Sequence, residues 1–432
     1  MKLLFITTYN VIIQKDHFFT RNVINGLIDS GIDLSFLTIH PCKSQKDTYL
    51  QKEIYNGIDY YHLYLSHSSK EERIKQIQDC FVLLKPLVIH SNMDNGLETE
   101  AAYPLGIPTI LTIHIGGVIC PRGGGNGFLH YDNSICPTTV SHKNCLLCCC
   151  QDLPGKDFNY YLLKLFPVKQ RLKLFQWINK KPFIYYFTPL LMITHAIENS
   201  LNRIEVFKKT STIIAANNHL KKLLEGNGIV NNVEIIPHGV RERKRFPFPP
   251  IENGIIKFYY LGRVQYSKGL HLVIEAMKEL PRNRFEFHII GDSENANREQ
   301  RYYRKLQKKS KNLPIIFHGR LPNTEIETLI KNFHVMIHPT ICLEVFGIAI
   351  AESLSVGRPV LATRCGGAEI QIKDGYNGWL INPNNIQELK DKLSFIIENT
   401  TKIETLASNT SIPKFNDYIF KLEKIYDNLI SQ

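Results

Sequence analysis

Two pairs of charged residues in the second half of the chain carry its most legible chemistry. Arg263 and Lys268 lie five positions apart in YLGRVQYSKGLHLVIEAM, and Glu344 and Glu352 are separated by seven residues in HPTICLEVFGIAIAESLSVG. Each pair follows a short apolar run and opens a helix-like pattern. In an open α/β sheet, ligands bind beyond the carboxyl ends of the strands. Two cations there, with the free N–H groups of the next helix, can neutralise a diphosphate. They would also favour a transition state in which a departing diphosphate gains charge. Carboxylates accept hydrogen bonds from hydroxyls, the main polar groups of a sugar or a ribose. Together the pairs point to an enzyme that binds a nucleotide-activated sugar. Alone, the cations also fit surface ion pairing and the carboxylate spacing also fits chance. Pro339 and Thr340 before Glu344, and RPVLATRCGGAEIQIKDGYNGWL after it, with a Gly366–Gly367 turn, sharpen the reading.

Such a site needs elements to hold it. In the first half KLLFITT, LSFLTIH, PLVIH, PTILTIH, LLMITHA, STIIAAN and VEIIPHG read as strands, and in the second half IIKFYYLG, FEFHIIGD, PIIFHG, VMIHPT, PVLATRC and GWLIN do. Most are apolar without alternation, as parallel strands buried on both faces are. Helical stretches follow, such as Phe18–Asp29, Leu270–Glu279, Asn323–Asn332 and Ala349–Val356. Two β/α series imply an α/β chain of two doubly wound domains. The charged, proline-bearing stretch Arg241–Asn253 suits a linker between them. The expected division is 1–240, 241–411, and a C-terminal helix within 412–432 that can pack back on the first domain.

Length and composition agree. A chain of 432 residues exceeds one ordinary core. With 44% hydrophobic and 21% charged residues it reads as soluble and globular. Thr7, Thr8, Tyr9 and Asn10 interrupt the opening apolar run, so MKLLFITTYNVII reads as a first buried strand, Leu3–Thr7, rather than a signal peptide. A cytoplasmic location is expected. Net charge is +12, and between Lys156 and Lys222 twelve Lys/Arg stand against three Asp/Glu. With Leu165, Phe166, Phe175 and Trp177 interleaved, this basic stretch fits helices resting on an anionic membrane face. It fits a solvated helical face beside the core equally well. No nucleic-acid-binding motif accompanies the charge, so nucleic acid is not an expected partner.

The combination PHGV, GRVQYSKG and EVFGIAIAE, in this order, resembles the retaining glycosyltransferases of family 4, glycosyl transferases group 1. The resemblance is strong over about 233–382 and looser over most of the rest. It implies a GT-B fold, two Rossmann-like domains facing a cleft, the first on the acceptor side and the second binding the nucleotide sugar. It implies Arg263 and Lys268 on the donor diphosphate, Glu344 on the donor sugar and Glu352 on the ribose. The loop amides of Val345, Phe346 and Gly347, with Gly262 and Gly291, complete the donor contacts, and His114 touches the donor sugar. The lone strand-end His114 is also consistent with a structural role. The first loop departs from the family: YNVIIQKDHFF stands where a Gly-Gly is usual. His114 is followed by Ile115 rather than Asp, and Glu369 is displaced. By resemblance the activity is transfer from a uridine or guanosine diphosphate sugar with an α-linkage, to a glycan, lipid-linked or other small acceptor, in bacterial surface-glycan synthesis. No divalent metal is implied for catalysis, because Arg263 and Lys268 supply that charge. A non-catalytic sugar-nucleotide or zinc-binding module on the same scaffold is the alternative.

Six of the ten cysteines fall between Cys120 and Cys150. Within the insert 116–150, Cys120, Cys136, Cys145 and Cys148 include a C-x-x-C half-site and suffice chemically for tetrahedral zinc. Cys149, Cys150, His130 and His142 make the ligand set ambiguous. Reduced thiols and disulfides stay open as readings. The glycine run GGGNG lacks the strand–helix context of a phosphate loop.

Overall fold

The computed structural model describes residues 3–7, 18–41, 48–55, 57–66, 68–92, 96–115, 117–123, 135–136, 139–150, 165–167, 169–170, 173, 177, 189–230, 232–240, 243–293 and 297–431. Two sheets organise the chain. The first contains β1 (Leu3–Thr7), β2 (Leu34–Pro41), β3 (Tyr49–Tyr55), β4 (Ile58–Leu65), β5 (Val88–Ser91), β6 (Thr109–Thr112), β7 (Thr212–Ala215) and β8 (Val233–Ile235), in the order β3-β4-β2-β1-β5-β6-β7-β8. Every pairing is parallel except β3 with β4. β1 shows why its run is apolar throughout. Leu3 and Phe5 face one core with Phe36 and Tyr418, while Leu4 and Ile6 face another with Ile77 and Phe81.

The second sheet holds β9 (Ile256–Leu261), β10 (Phe285–Ile290), β11 (Ile315–Gly319), β12 (Val335–His338), β13 (Val360–Thr363) and β14 (Gly378–Ile381), all parallel, in the order β11-β10-β9-β12-β13-β14. Counted within the domain this is 3-2-1-4-5-6, the Rossmann order, whose direction reverses between β9 and β12. The chain is thus an α/β protein with two doubly wound domains.

The segment 243–250 is fastened to the second domain. Arg245 donates to the carbonyls of Ala407 and Thr410, and the buried Arg358 reaches the carbonyl of Pro247 at 2.9 Å. The last helix, Phe415–Ile430, returns to the first domain, where Phe415, Tyr418, Ile419, Leu422 and Tyr426 join the core of Phe5. Its Tyr426 hydroxyl lies 2.6 Å from His90 Nδ1.

Two local readings of the sequence are corrected. LLMITHA is not a strand but the opening of the helix Pro189–Phe207. Ile193, Ile197 and Ile204 bury one face at helical spacing, a period that the short apolar run conceals. The hairpin β3–β4 was not anticipated either, although Asn-Gly at 56–57 between two aromatic-rich runs is a hairpin signal. No described helix is long and apolar enough to cross a membrane.

Candidate donor site

β9 and β12 lie side by side at the switch point and deliver the two charged pairs to one place. After β9 the chain passes Gly262 and Arg263 into a short 3-10 turn, Tyr266–Lys268, before the helix Leu270–Met277. After β12 it runs through Pro339–Leu343 to Glu344, then turns at Gly347 into the helix Ile348–Ser355. The two loops are stitched together. The Ile341 N–H donates to the carbonyl of Ser267 at 2.9 Å, and the Thr340 hydroxyl donates to the same carbonyl at 3.1 Å. Gly347 has φ +75°, the left-handed region that glycine enters without steric cost. That turn lets the loop end at a helix N-terminus. Gly291 has φ +136°, and a Cβ there would stand 1.8 Å from the carbonyl oxygen of Gly262. The bare backbone at Gly291 is thus required by its close approach to Gly262, whatever else it binds, while Gly262 itself has φ +145°.

Lys268 donates to the Glu344 carboxylate, with both side chains about four-fifths buried. His338, at the end of β12, stands 3.6 Å from the same carboxylate oxygen. Burial opposes the charge on Glu344, but Lys268 and His338 outweigh it and hold the carboxyl well below its usual range. Burial also opposes the charge on Lys268; Glu344 more than restores it, and nearby Arg263 works against it. Two cations and a carboxylate are therefore gathered at a strand-end switch point. Glu352 sits on the following helix, paired at 2.7 Å with Arg243 from the segment between the domains. Burial raises its pKa and Arg243 opposes the rise.

Val345 and Phe346 bury their side chains across the domain interface. With Leu343 they join a cluster containing Ile197, Ile213 and Leu220 of the first domain. His114 lies just beyond β6. Its ring lies 5.2 Å from that of His238, which stacks on Phe19 at 4.2 Å and meets Phe346 at 5.4 Å. Burial first, and His114 second, push His238 far below its usual pKa, so it is neutral near pH 7. Neither His238 nor His338 was singled out from the sequence. Both stand beside motif residues, in IIPHGV and VMIHPT, but only the folded structure brings them against Phe346 and Glu344.

In the insert, Ser141 caps the helix His142–Cys149, which places Cys145 and Cys148 one turn apart. Cys120 and Cys136 pack against the same core as Cys145 and Cys149. Burial, with the neighbouring thiols, pushes Cys145 up to about 12; burial likewise pushes Cys148 up to about 11 despite Arg122, whose Nη1 lies 3.9 Å from its sulfur. Among the described residues no three His, Cys, Asp or Glu side chains are gathered closely enough to hold a metal as placed. His142 is occupied by Glu198 at 2.9 Å. His130, residues 124–127 of the GGGNG run, residues 9–17 of the first loop and most of the basic stretch 156–188 lie outside the described residues.

Residues 241–411 match the family model Glycosyl transferases group 1. An uncharacterized glycosyltransferase of Methanocaldococcus jannaschii is 27% identical over 244 residues, covering 54% of this chain and 65% of that protein. The lipopolysaccharide 1,6-galactosyltransferase of Salmonella typhimurium is 25% identical over 213 residues, 48% of this chain and 58% of that one. The chain thus spans less than two thirds of the length of these curated relatives. Among solved structures, sucrose-phosphate synthase from Thermosynechococcus elongatus superposes with a TM-score of 0.66 at 14% identity, covering 100% of this chain and 99% of that one. HepE of Anabaena, solved with UDP and glucose, gives 0.62 at 15% identity, with 99% of each chain covered. At such identities the likeness establishes the fold, which is GT-B. The match to glycosyl transferases group 1 thus falls on residues 241–411, within a chain of GT-B fold.

Proposed function

We propose that this protein is a retaining glycosyltransferase that moves a sugar from a nucleoside diphosphate to an acceptor with an α-linkage. The observation that carries the reading is the meeting of Arg263, Lys268 and Glu344 at the switch point between β9 and β12. Arg263 and Lys268 hold the diphosphate and stabilise the charge it gains as the glycosidic bond breaks. The amides of Val345, Phe346 and Gly347 add donors at a helix N-terminus. Glu344 meets the sugar hydroxyls and Glu352 the ribose. His114 reaches the donor sugar from the first domain, whose cleft face receives the acceptor. Gly262 and Gly291 let the strand ends come close to the nucleotide. Catalysis runs without a divalent metal, so turnover needs no added divalent cation.

Several relatives fit a role in surface-glycan synthesis, the Salmonella galactosyltransferase among them. HepE, whose solved complex contains UDP and glucose, favours a uridine donor. In the basic stretch, Leu165 and Trp177 are exposed alongside Lys169 and Lys173, which fits contact with an anionic membrane from the cytoplasmic side. The insert is proposed to take one structural zinc on Cys120, Cys136, Cys145 and Cys148. That closure needs the thiols to lose their protons and draw together from the places they occupy here. The deciding experiment is a screen of full-length protein against UDP- and GDP-sugars, followed by donor hydrolysis and transfer assays. Stabilisation by one class of nucleotide sugar and release of its nucleoside diphosphate are expected. Binding without any release would favour a non-catalytic module.

A further inference from the structure

Asn217 lies in the first domain, just beyond β7, and is fully buried. It caps the helix Asn218–Gly226, its Oδ1 accepting the Leu220 N–H at 2.8 Å. Its Nδ2 does something else. It crosses to the second domain and donates to the carbonyls of Glu344 at 3.1 Å and Val345 at 2.6 Å. The Glu344 carbonyl also accepts the Gly367 N–H at 2.8 Å. One residue further on, the buried Gln371 side chain donates to the carbonyl of Phe346, and its Nε2 lies 3.1 Å from the carbonyl of Gly367. In a trans peptide the carbonyl and the following N–H point to opposite sides of one rigid plane. Holding the carbonyls of residues 344, 345 and 346 therefore aims the N–H groups of Val345, Phe346 and Gly347 away from Asn217 and Gln371.

We infer that Asn217, with Gln371, is a positioning residue for this row of three amides, so that donor affinity depends on the contact between the two domains. The inference rests on the donor reading above. An unheld loop would have to order its peptide planes on binding, at a cost in conformational entropy. Amides already aimed require no such reorganisation. A helix cap alone would be served as well by Ser or Asp. Neither supplies two N–H donors at this reach, and Asn does both jobs with one amide.

The test separates the two jobs. Asn217→Asp keeps the capping oxygen but sets oxygen against the two carbonyls, while Asn217→Ser keeps a cap and loses the reach. Full-length wild type and both variants are titrated with UDP, GDP, uridine and guanosine, and thermal unfolding is followed by circular dichroism. For whichever diphosphate the wild type binds, both variants should lose at least about tenfold in affinity, while the matching nucleoside changes by less than about twofold. If Asn217→Asp does not fold, the serine variant decides. Variants that bind the diphosphate as the wild type does would overturn the inference. So would variants that lose nucleoside and diphosphate in equal measure, since that is general damage. A wild type that binds neither diphosphate would instead remove the donor reading, and this inference with it.

Discussion

Arg243 and Glu352 form a 2.7 Å ion pair that joins the segment between the domains to the helix after the donor loop. The carboxylate expected to meet the ribose is thus held by a residue that precedes the second domain's first strand. An ionised carboxylate is needed to accept two ribose hydroxyls. Burial pushes Glu352 the other way and Arg243 counters it. Arg243→Ala should weaken nucleoside diphosphate binding about tenfold, or 1.4 kcal/mol. The sign of its pH dependence follows. The folded pKa of Glu352 is already raised, so the ionised form is lost as pH falls through a value above 4.5. Without Arg243 that window moves higher still. The variant's deficit should therefore widen as pH drops from about 8 to about 5.5, and Arg243→Lys should recover part of it. Calorimetry across that range checks both.

Arg263 and Lys268 should separate in their effects on stability though not on activity. Either change to Ala should lower donor turnover at least about tenfold, about 1.4 kcal/mol of transition-state stabilisation. Arg263 is exposed, so its removal should leave thermal unfolding nearly unchanged. Lys268→Ala leaves a largely buried Glu344 carboxylate without its main partner, a change that costs about 3 kcal/mol where such a pair is broken. Kinetics and urea unfolding of the two variants test the split. Equal losses of stability would contradict it.

Glu344 also sets part of the acid limit. Its folded pKa is depressed below the ordinary 4.5, so its pairing stabilises the fold above the unfolded value and is lost as pH falls through the folded one. Wild-type stability should decline progressively from about pH 4.5 downward. Glu344→Gln should be less stable near neutrality and show a shallower decline across the same range. Denaturant midpoints measured against pH would show it. The same variant should keep free nucleoside diphosphate affinity closer to normal than Glu352→Ala does.

The insert is checked by elemental analysis of protein purified under reducing conditions. The proposed site predicts about one zinc per chain, held by four thiolates. Its removal by a chelator should expose reactive thiols and lower the melting temperature, while donor binding persists. Less than about half an equivalent would leave the four cysteines as packed thiols, Cys145 and Cys148 among them buried with raised pKa values in this structure.

Much of the fold was legible because parallel strands buried on both faces read as short unbroken apolar runs. β1, β9, β12 and β13 are such runs, and their order along the chain already implied two doubly wound units. The helix Pro189–Phe207 was misread at its start because LLMI is too short a window to show a period. The hairpin β3–β4 was passed over because its polar, aromatic-rich strands lack that unbroken character. Around the donor site, residues adjacent in sequence were readable. Those that matter through contact were not: Asn217 lies 127 positions before Glu344, and Arg243 lies 109 before Glu352.

By itself the sequence determined the chemistry on offer: two cations, two carboxylates and a glycine-turned helix start, each in the segment that follows a strand and each set by local spacing. Tertiary structure decided how those groups stand. Only the Rossmann strand order brings β9 beside β12, so that Lys268 meets Glu344 and both become charged under burial. Only the docking of the domains lets Asn217 grip the loop carbonyls and Phe346 fill the first domain's core. The physical reason is range: spacing along a chain fixes geometry over a turn or two. Ion pairing, burial and the aim of a peptide plane depend on what else arrives, and that is settled by packing.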